Sequence, residues 1–332
     1  MKGSRLFSIF GSCILAAALL AGCGGGSAGQ GGSRTSRSFA VVCPRPKDSL
    51  KTLANRYLKD PRKAWIIADF NNIETLTPGQ AVVVPLESVN RGGLTPQGFQ
   101  TVPVLAYSAF SETRADRATV TRAAFEEQMR FLKDNGYTAI SIDQFFDFLD
   151  FKDQVPTRSV LITIDDIGQG VYEIAYPILK KYQTPAALFI CTDLVTGREN
   201  ALDWDRIREM RKNGISIQHR TKTLRNLNRR KRDETFEEYV RAVERELFVA
   251  SRKVHEETGV AMRYLAYPYG ATNGMVIALL EKNNIRGAFT LAPGSNPFFA
   301  DNYTAGRTVI PGDFSLADFK KTLNVFEKEA LP

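Results

Sequence analysis

Val160-Leu161-Ile162-Thr163-Ile164-Asp165-Asp166 is an apolar run that ends in two adjacent carboxylates. A buried parallel strand delivers acids to the rim of an α/β barrel in this way. Carboxylates at such a rim handle a metal or a proton. Yet the 332-residue chain has only two histidines, His219 and His255. A zinc enzyme usually needs imidazole ligands, and often an imidazole acid as well. The chain thus looks like an enzyme by fold and like something less by inventory.

Outward from this run, apolar strands alternate with helical stretches. Candidate strands are Val102–Tyr107, Thr138–Ile142, Val160–Ile164, Ala186–Cys191, Ile215–Gln218, Tyr264–Tyr267, Gly287–Leu291 and Thr308–Ile310. Between them lie helices such as Thr121–Asn135, with Phe125, Met129 and Leu132 on one face. Repeating β-α units mean a parallel sheet, and this many suggest a barrel. Residues 87–101 read as a polar linker, and residues 39–86 as a small strand-helix-helix-strand domain. In that domain Asp48 or Ser49 caps the first helix, Pro61 opens the second, and Pro78-Gly79 turns into the closing strand.

Composition is ordinary for a globular protein, with 43% hydrophobic and 24% charged residues. The net charge of +8 is concentrated between Arg206 and Arg232. That run reads either as a solvated helix face and loop or as a surface attracted to an anionic polymer. No nucleic-acid recognition motif is present. Lys2, Arg5 and the apolar stretch Leu6–Leu20 read as a signal peptide over residues 1–22, too short for a membrane span. Leu20-Ala21-Gly22-Cys23 resembles the lipobox of bacterial lipoproteins, which implies lipidation of Cys23. The Gly/Ser-rich residues 23–38 are then a disordered tether, and the protein is exported and held at the cell envelope by lipid. Cys43 and Cys191 are expected as free thiols, since they fall in different domains.

Two further resemblances carry function. Asp48-Ser49-Leu50, Asp69-Phe70-Asn71 and Leu76-Thr77-Pro78-Gly79-Gln80 with Val84-Pro85 resemble a LysM domain. This implies binding of glycans that contain N-acetylglucosamine, peptidoglycan in particular. Cys43-Pro44-Arg45-Pro46 departs from the pattern where the family has a short Gly-Asp turn. Val102–Tyr107, Thr163–Asp166, Trp204-Asp205 with Arg208-Glu209-Met210, and Ala266–Ala271 are similar to the polysaccharide deacetylase family, the NodB-type carbohydrate esterases. Over residues 102–326 the resemblance implies a distorted (β/α)7 barrel. It also implies one divalent, zinc-like metal bound by an Asp and two histidines, and an Asp base acting on a metal-bound water to remove an N-acetyl group.

Carried over residue by residue, the resemblance makes Asp165 the base and Asp166 a metal ligand. Beyond these two the match fails. Arg220 and Leu224 stand where the His-x-x-x-His ligands belong, and a shift by one offers His219 with Thr223. Ser108 replaces the histidine after the first-strand tyrosine, and Ile167 the glycine after the acid pair. The late leaving-group histidine is absent. One carboxylate and at most one imidazole fall short of the three protein ligands of a catalytic zinc. Arg220 would repel a dication and can pair with Asp165 or Asp166 in its place. No cofactor is therefore expected. The alternative is an atypical metal site from Asp166, His219 and Thr223 or Cys191. A third reading is a structural docking protein of the envelope. Tyr107, Trp204, Tyr267 and Tyr269 could stack on sugar faces or pack the barrel core, and Tyr269 sits on a rim loop.

Overall fold

The structure is a computed structural model that describes residues 33–197 and 200–329. The signal peptide, Cys23 and most of the 23–38 tether lie outside the described residues. The chain divides into two units, with the boundary between Val89 and Asn90.

The larger unit is built on seven strands: β1 (Gly98–Tyr107), β2 (Ser159–Ile164), β3 (Ala186–Ile190), β4 (Ile215–His219), β5 (Tyr264–Ala266), β6 (Gly287–Phe289) and β7 (Thr308–Val309). They are hydrogen-bonded in the order β6-β5-β4-β3-β2-β1-β7, each neighbouring pair parallel. The sheet curls on itself: the segment before β7 reaches β6, with Thr290 N donating to Ala305 O at 2.9 Å and Ala305 N to Ala288 O at 3.1 Å. The result is a distorted β/α barrel.

The run that ends in Asp165 forms β2, and both of its faces are covered. Val160, Ile162 and Ile164 pack in the cluster shared with the helix Arg122–Asp134. Leu161 points the other way, among Phe145, Phe146, Phe189 and Phe289. Double burial is why the run is continuously apolar rather than alternating. The helix Arg122–Asp134 is capped by Thr121 and buries Phe125, Met129 and Leu132, the face read from the sequence.

Two sequence boundaries are corrected. The candidate strand Thr138–Ile142 is a strand only at Thr138–Ala139. Ser141 forms a capping box with Gln144 there, so Ile142 opens the helix Ile142–Leu149 instead. The 87–101 linker is also shorter than expected. Leu94–Thr95 already pairs with the start of β1, which begins at Gly98. Gly98 is required at that point, since its φ is +149° and a Cβ would meet Glu327 O at 1.9 Å.

In the smaller unit, an antiparallel sheet of Ser33–Thr35, Phe39–Val42 and Val82–Pro85 packs against the helices Leu50–Leu58 and Ala64–Asn71. Its core is Ala40, Val42, Leu53, Ala54, Ile67, Val82 and Val84. Ser49 closes a capping box with Thr52. Asn71 joins helix to sheet: its Nδ2 donates to Val83 O at 2.7 Å and its Oδ1 accepts from Val83 N at 2.9 Å. Two expectations fail here. The end of the 23–38 tether is ordered, because Ser36 turns the chain onto Phe39 and lets Ser33–Thr35 pair with Phe39–Val42. The free-thiol expectation holds for Cys191, which is free and buried, and fails for Cys43, which is disulfide-bonded. The expectation of free thiols weighed only a pairing of those two cysteines with each other, and that pairing does not form.

Candidate functional site

The ladder between β1 and β2 runs one residue past β2, with Asp165 N donating to Tyr107 O at 2.8 Å. Both acids therefore stand at the C-terminal rim of the barrel. The two have opposite surroundings. Asp165 accepts two hydrogen bonds from Arg307, at 2.7 Å on Oδ1 and 2.9 Å on Oδ2. Arg307 immediately precedes β7 and is fully buried. Its Nε donates to Thr290 O at 3.1 Å, and its guanidinium lies 5.6 Å from the ring centres of Phe189 and Phe289. Burial pushes the Asp165 carboxyl up, but Arg307 and then Arg220 outweigh it and hold it below the usual carboxylate value.

Asp166 has no such partner. Its Oδ1 accepts from the N–H of Ile167 at 2.7 Å and of Gly168 at 3.0 Å. Burial raises its carboxyl above the ordinary value against those two bonds and Arg220, and the charge of Asp165 adds to the rise. Ile167 stacks its side chain on the core, and its carbonyl accepts from Leu202 N at 2.7 Å. Ser108, directly after β1, is half-buried.

The segment after β4 faces these acids from two strands away. Arg220 places Nε 3.6 Å from Asp165 Oδ2 and donates from Nη1 to Asp165 O at 3.1 Å. Arg220 Nε is itself buried with no hydrogen-bond partner among the described residues. The turn that follows has two non-glycine residues at positive φ, Thr221 at 80° and Leu224 at 63°. Leucine is uncommon in that region, whereas histidine is enriched there. Glu246 pins the turn, accepting from Thr223 N at 2.8 Å and Thr223 Oγ1 at 2.6 Å. It is turned inward by a π-helical turn, Arg245–Val249, between the helices Phe236–Glu244 and Ala250–Thr258.

The alternative ligand set does not come together. His219 is buried with both ring nitrogens engaged. Nδ1 accepts from Thr221 N at 3.0 Å, so the proton sits on Nε2, which donates to Ser251 Oγ at 3.0 Å. Ser251 in turn donates to Leu247 O at 2.9 Å. Burial pushes the imidazole down to about 4. His219 thus serves the core rather than Asp166. Thr223 spends its hydroxyl on Glu246. Cys191 donates to Lys222 O at 2.8 Å, and burial raises its thiol to about 11, so no thiolate is on offer. His255 is exposed. Among the described residues, no group of three or more His, Cys, Asp or Glu side chains gathers in a metal-holding arrangement. Arg307 and Arg220 occupy Asp165, so of the acid pair only Asp166 is without an ion-pair partner among the described residues. These residues do not fit a catalytic divalent metal.

The four aromatic candidates also separate. Tyr107 is fully buried and donates to Gln128 Oε1 at 2.8 Å. Tyr267 is fully buried in another core cluster. Neither can reach a sugar, which corrects the expectation for both. Both pack on the helix-covered side of the sheet, Tyr107 against the helix Arg122–Asp134 and Tyr267 against the helices Phe236–Glu244 and Gly274–Lys282. Trp204 opens the helix Trp204–Lys212 and is half-buried, with Lys253 Nζ 5.8 Å from its ring centre. Tyr269 is 68% exposed and held at φ 60° on the rim turn Pro268–Gly270.

Two residues of this site escaped the sequence reading, Arg307 and Glu246. A buried carboxylate at a strand end demands a counter-charge, and an arginine directly before a predicted strand was the available signal. Nothing in the sequence marks Glu246 among its charged neighbours.

Known proteins resemble part of this chain. Residues 152–288 match the family model described as Polysaccharide deacetylase. A poly-beta-1,6-N-acetyl-D-glucosamine N-deacetylase of Staphylococcus aureus is 30% identical over 192 residues, 54% of this chain. The chain spans 66% of the length of that relative. The namesake from Staphylococcus epidermidis is 28% identical over 59% of this chain and 69% of its own length. Among solved structures, IcaB from Ammonifex degensii superposes with a TM-score of 0.60 at 24% identity, over 69% of this chain and 99% of that one. The Streptococcus pyogenes deacetylase PplD, solved with acetate, gives 0.60 at 22% identity, over 67% and 98%. The barrel is therefore of the polysaccharide deacetylase type.

Proposed function

We propose that this protein binds a glycan containing N-acetylglucosamine at the cell envelope, and that its barrel has lost most or all deacetylase activity. The observation that carries this reading is Arg220 beside Asp165, 3.6 Å away, where the fold would otherwise seat a dication. A carboxylate neutralised by two guanidiniums is a poor base, and no imidazole is free to hold a metal or to protonate a leaving amine. The smaller unit supports the binding half: its βααβ packing, Ser49 cap and Asn71 bridge suit the LysM resemblance. Export and lipidation of Cys23 complete the proposal, and they rest on the sequence alone.

The test is acetate release from an N-acetylglucosamine oligomer beside retention on insoluble peptidoglycan, both with the full chain. Retention that depends on residues 39–86, with no acetate above background, is the expected pair. Acetate release abolished by Asp165→Asn would overturn the impaired-site reading. Membrane fractionation of Cys23→Ser checks the anchor: it is expected to move to the soluble fraction.

A second reading draws on one observation, the 30% identity to relatives named N-deacetylases. On that reading Asp165 is still a base, and the same acetate assay decides between the two. A structural docking role would instead leave the protein with no retention on peptidoglycan.

A further inference from the structure

Arg229, Arg230, Lys231 and Arg232 form a basic run on the long loop between β4 and the helix Phe236–Glu244. All four are exposed. Such a run is usually a solvated, mobile loop. Here it sits on a built turn. Arg225 grips Glu234 across the base of the run, with bonds of 2.6 and 2.5 Å to its two oxygens. That grip, then the Lys231 N–H, lowers the Glu234 carboxyl to about 2. Leu227 is fully buried below, and Tyr239 OH donates to its carbonyl. Asn273 ties the loop sideways, donating to Asn228 Oδ1 at 3.0 Å and bonding Tyr239 OH at 2.9 Å.

The nearby glutamates are already committed, while exposed Asp233 adjoins the run and offsets one of its four charges. Glu234 serves Arg225, Glu237 pairs with Arg241 at 2.5 Å, and Glu238 accepts from Thr235 N at 2.7 Å. Among the described residues, none of the four basic side chains has an ion-pair partner. The turn thus presents four exposed cationic side chains on an anchored backbone, three of them guanidiniums, which match phosphate oxygens in pairs. The loop follows β4, so it belongs to the same barrel rim as Asp165. Through Asn273 it is joined to the segment that follows the Tyr269 turn.

We propose that this turn is a docking surface for a phosphate-bearing polyanionic polymer of the cell envelope. It holds such a polymer along the rim that bears Tyr269. The rim as a glycan site rests on the function proposed above. The charge-dependent docking does not require catalysis.

The experiment measures binding of the full chain to four probes at low salt: poly(glycerol phosphate), polygalacturonate, a neutral N-acetylglucosamine hexamer, and phosphatidylglycerol vesicles. Each is repeated with a variant carrying Arg229→Ser, Arg230→Ser, Lys231→Ser and Arg232→Ser together, whose folding is checked by thermal unfolding. Either anionic polymer is expected to bind the wild type at least about tenfold more tightly than the variant, and to release as salt is raised. Tighter wild-type binding to polygalacturonate than to poly(glycerol phosphate) would overturn the choice of a phosphate-bearing partner. The hexamer is expected to bind both proteins alike. If it binds neither while the polyanion result holds, the rim-glycan reading fails and the docking surface stands. Equal polyanion affinity of the folded variant and the wild type would overturn the proposal. So would tighter wild-type binding to the vesicles than to either polymer, which would make the turn a membrane contact.

Discussion

The ends of β2 and β4 lie on one rim, two strands apart, and they hold their charged residues in different ways. The β2 end carries the acid pair Asp165-Asp166, and Asp165 is locked by a buried arginine. The β4 end carries Arg220, which reaches Asp165, and a turn with left-handed backbone at Thr221 and Leu224. A barrel rim can thus retain its shape where the core dictates it and change its chemistry where only side chains differ. Substitutions at the two ends should therefore have different costs.

The largest effect is expected at the β2 end. Arg307→Ala leaves Asp165 buried beside Arg220 alone, and should cost about 3–5 kcal/mol, the usual penalty for stranding half of a buried pair. Urea unfolding measures it. Arg220→Ala removes the longer, partly exposed contact and should cost well under half as much. Equal losses would break the distinction between the locked and the replaceable cation.

Next is the pH response of the β4 end. His219 is neutral in the fold, and burial depresses it to about 4 from an ordinary value of 6.5. Between those values the unfolded chain binds a proton that the folded chain refuses, so stability falls as pH drops from 6.5 to 4. The loss is at most roughly 3 kcal/mol. His219→Gln should flatten that window. Asp165, depressed below the ordinary carboxylate value of 3.8, acts in a lower window: its stabilisation is lost as pH falls through the folded value. Unfolding curves from pH 7 to 3 separate the two.

A smaller effect is expected at Glu246, which pins the 221–224 turn. Glu246→Ala should cost about 1–3 kcal/mol through the unsatisfied Thr223 groups. The smallest stability effect belongs to Tyr269→Ala, within about 0.5 kcal/mol because the ring is exposed. It should nonetheless weaken binding of an N-acetylglucosamine oligomer, measured by calorimetry. Tyr107→Ala, in the core, should do the reverse, destabilising by about 3–5 kcal/mol.

The barrel was legible because its strands are buried on both faces. The apolar runs at residues 102–107, 160–164 and 186–191 leave no other reading, and β1, β2 and β3 follow them within a few residues. The strand at Thr138 was overextended because Ile140 and Ile142 suit a strand as well as a helix start, and the Ser141 cap decided the matter. The site was legible only in part. Asp165 and Arg220 follow apolar strands, so their rim positions come from topology. Arg307 was hidden because one arginine among 44 basic residues says nothing about burial until its partner is known. The inward turn of His219 depends on Ser251, a contact between residues 32 positions apart that no local pattern encodes. Of the two readings left open for Tyr107 and Tyr267, core packing is the one the structure takes, because helices cover the sheet on the face these rings occupy.

The most direct measurement is zinc bound per chain after equilibrium dialysis of the full protein. It should be made on the wild type, on Asp166→Ala, and on a variant with Ser108→His, Arg220→His and Leu224→His together. The expected result is far less than one zinc in the wild type and in Asp166→Ala, rising towards about one in the triple variant as three imidazoles join Asp166. About one zinc per wild-type chain, lost in Asp166→Ala, would contradict the claim that Arg220 has taken the place of the metal.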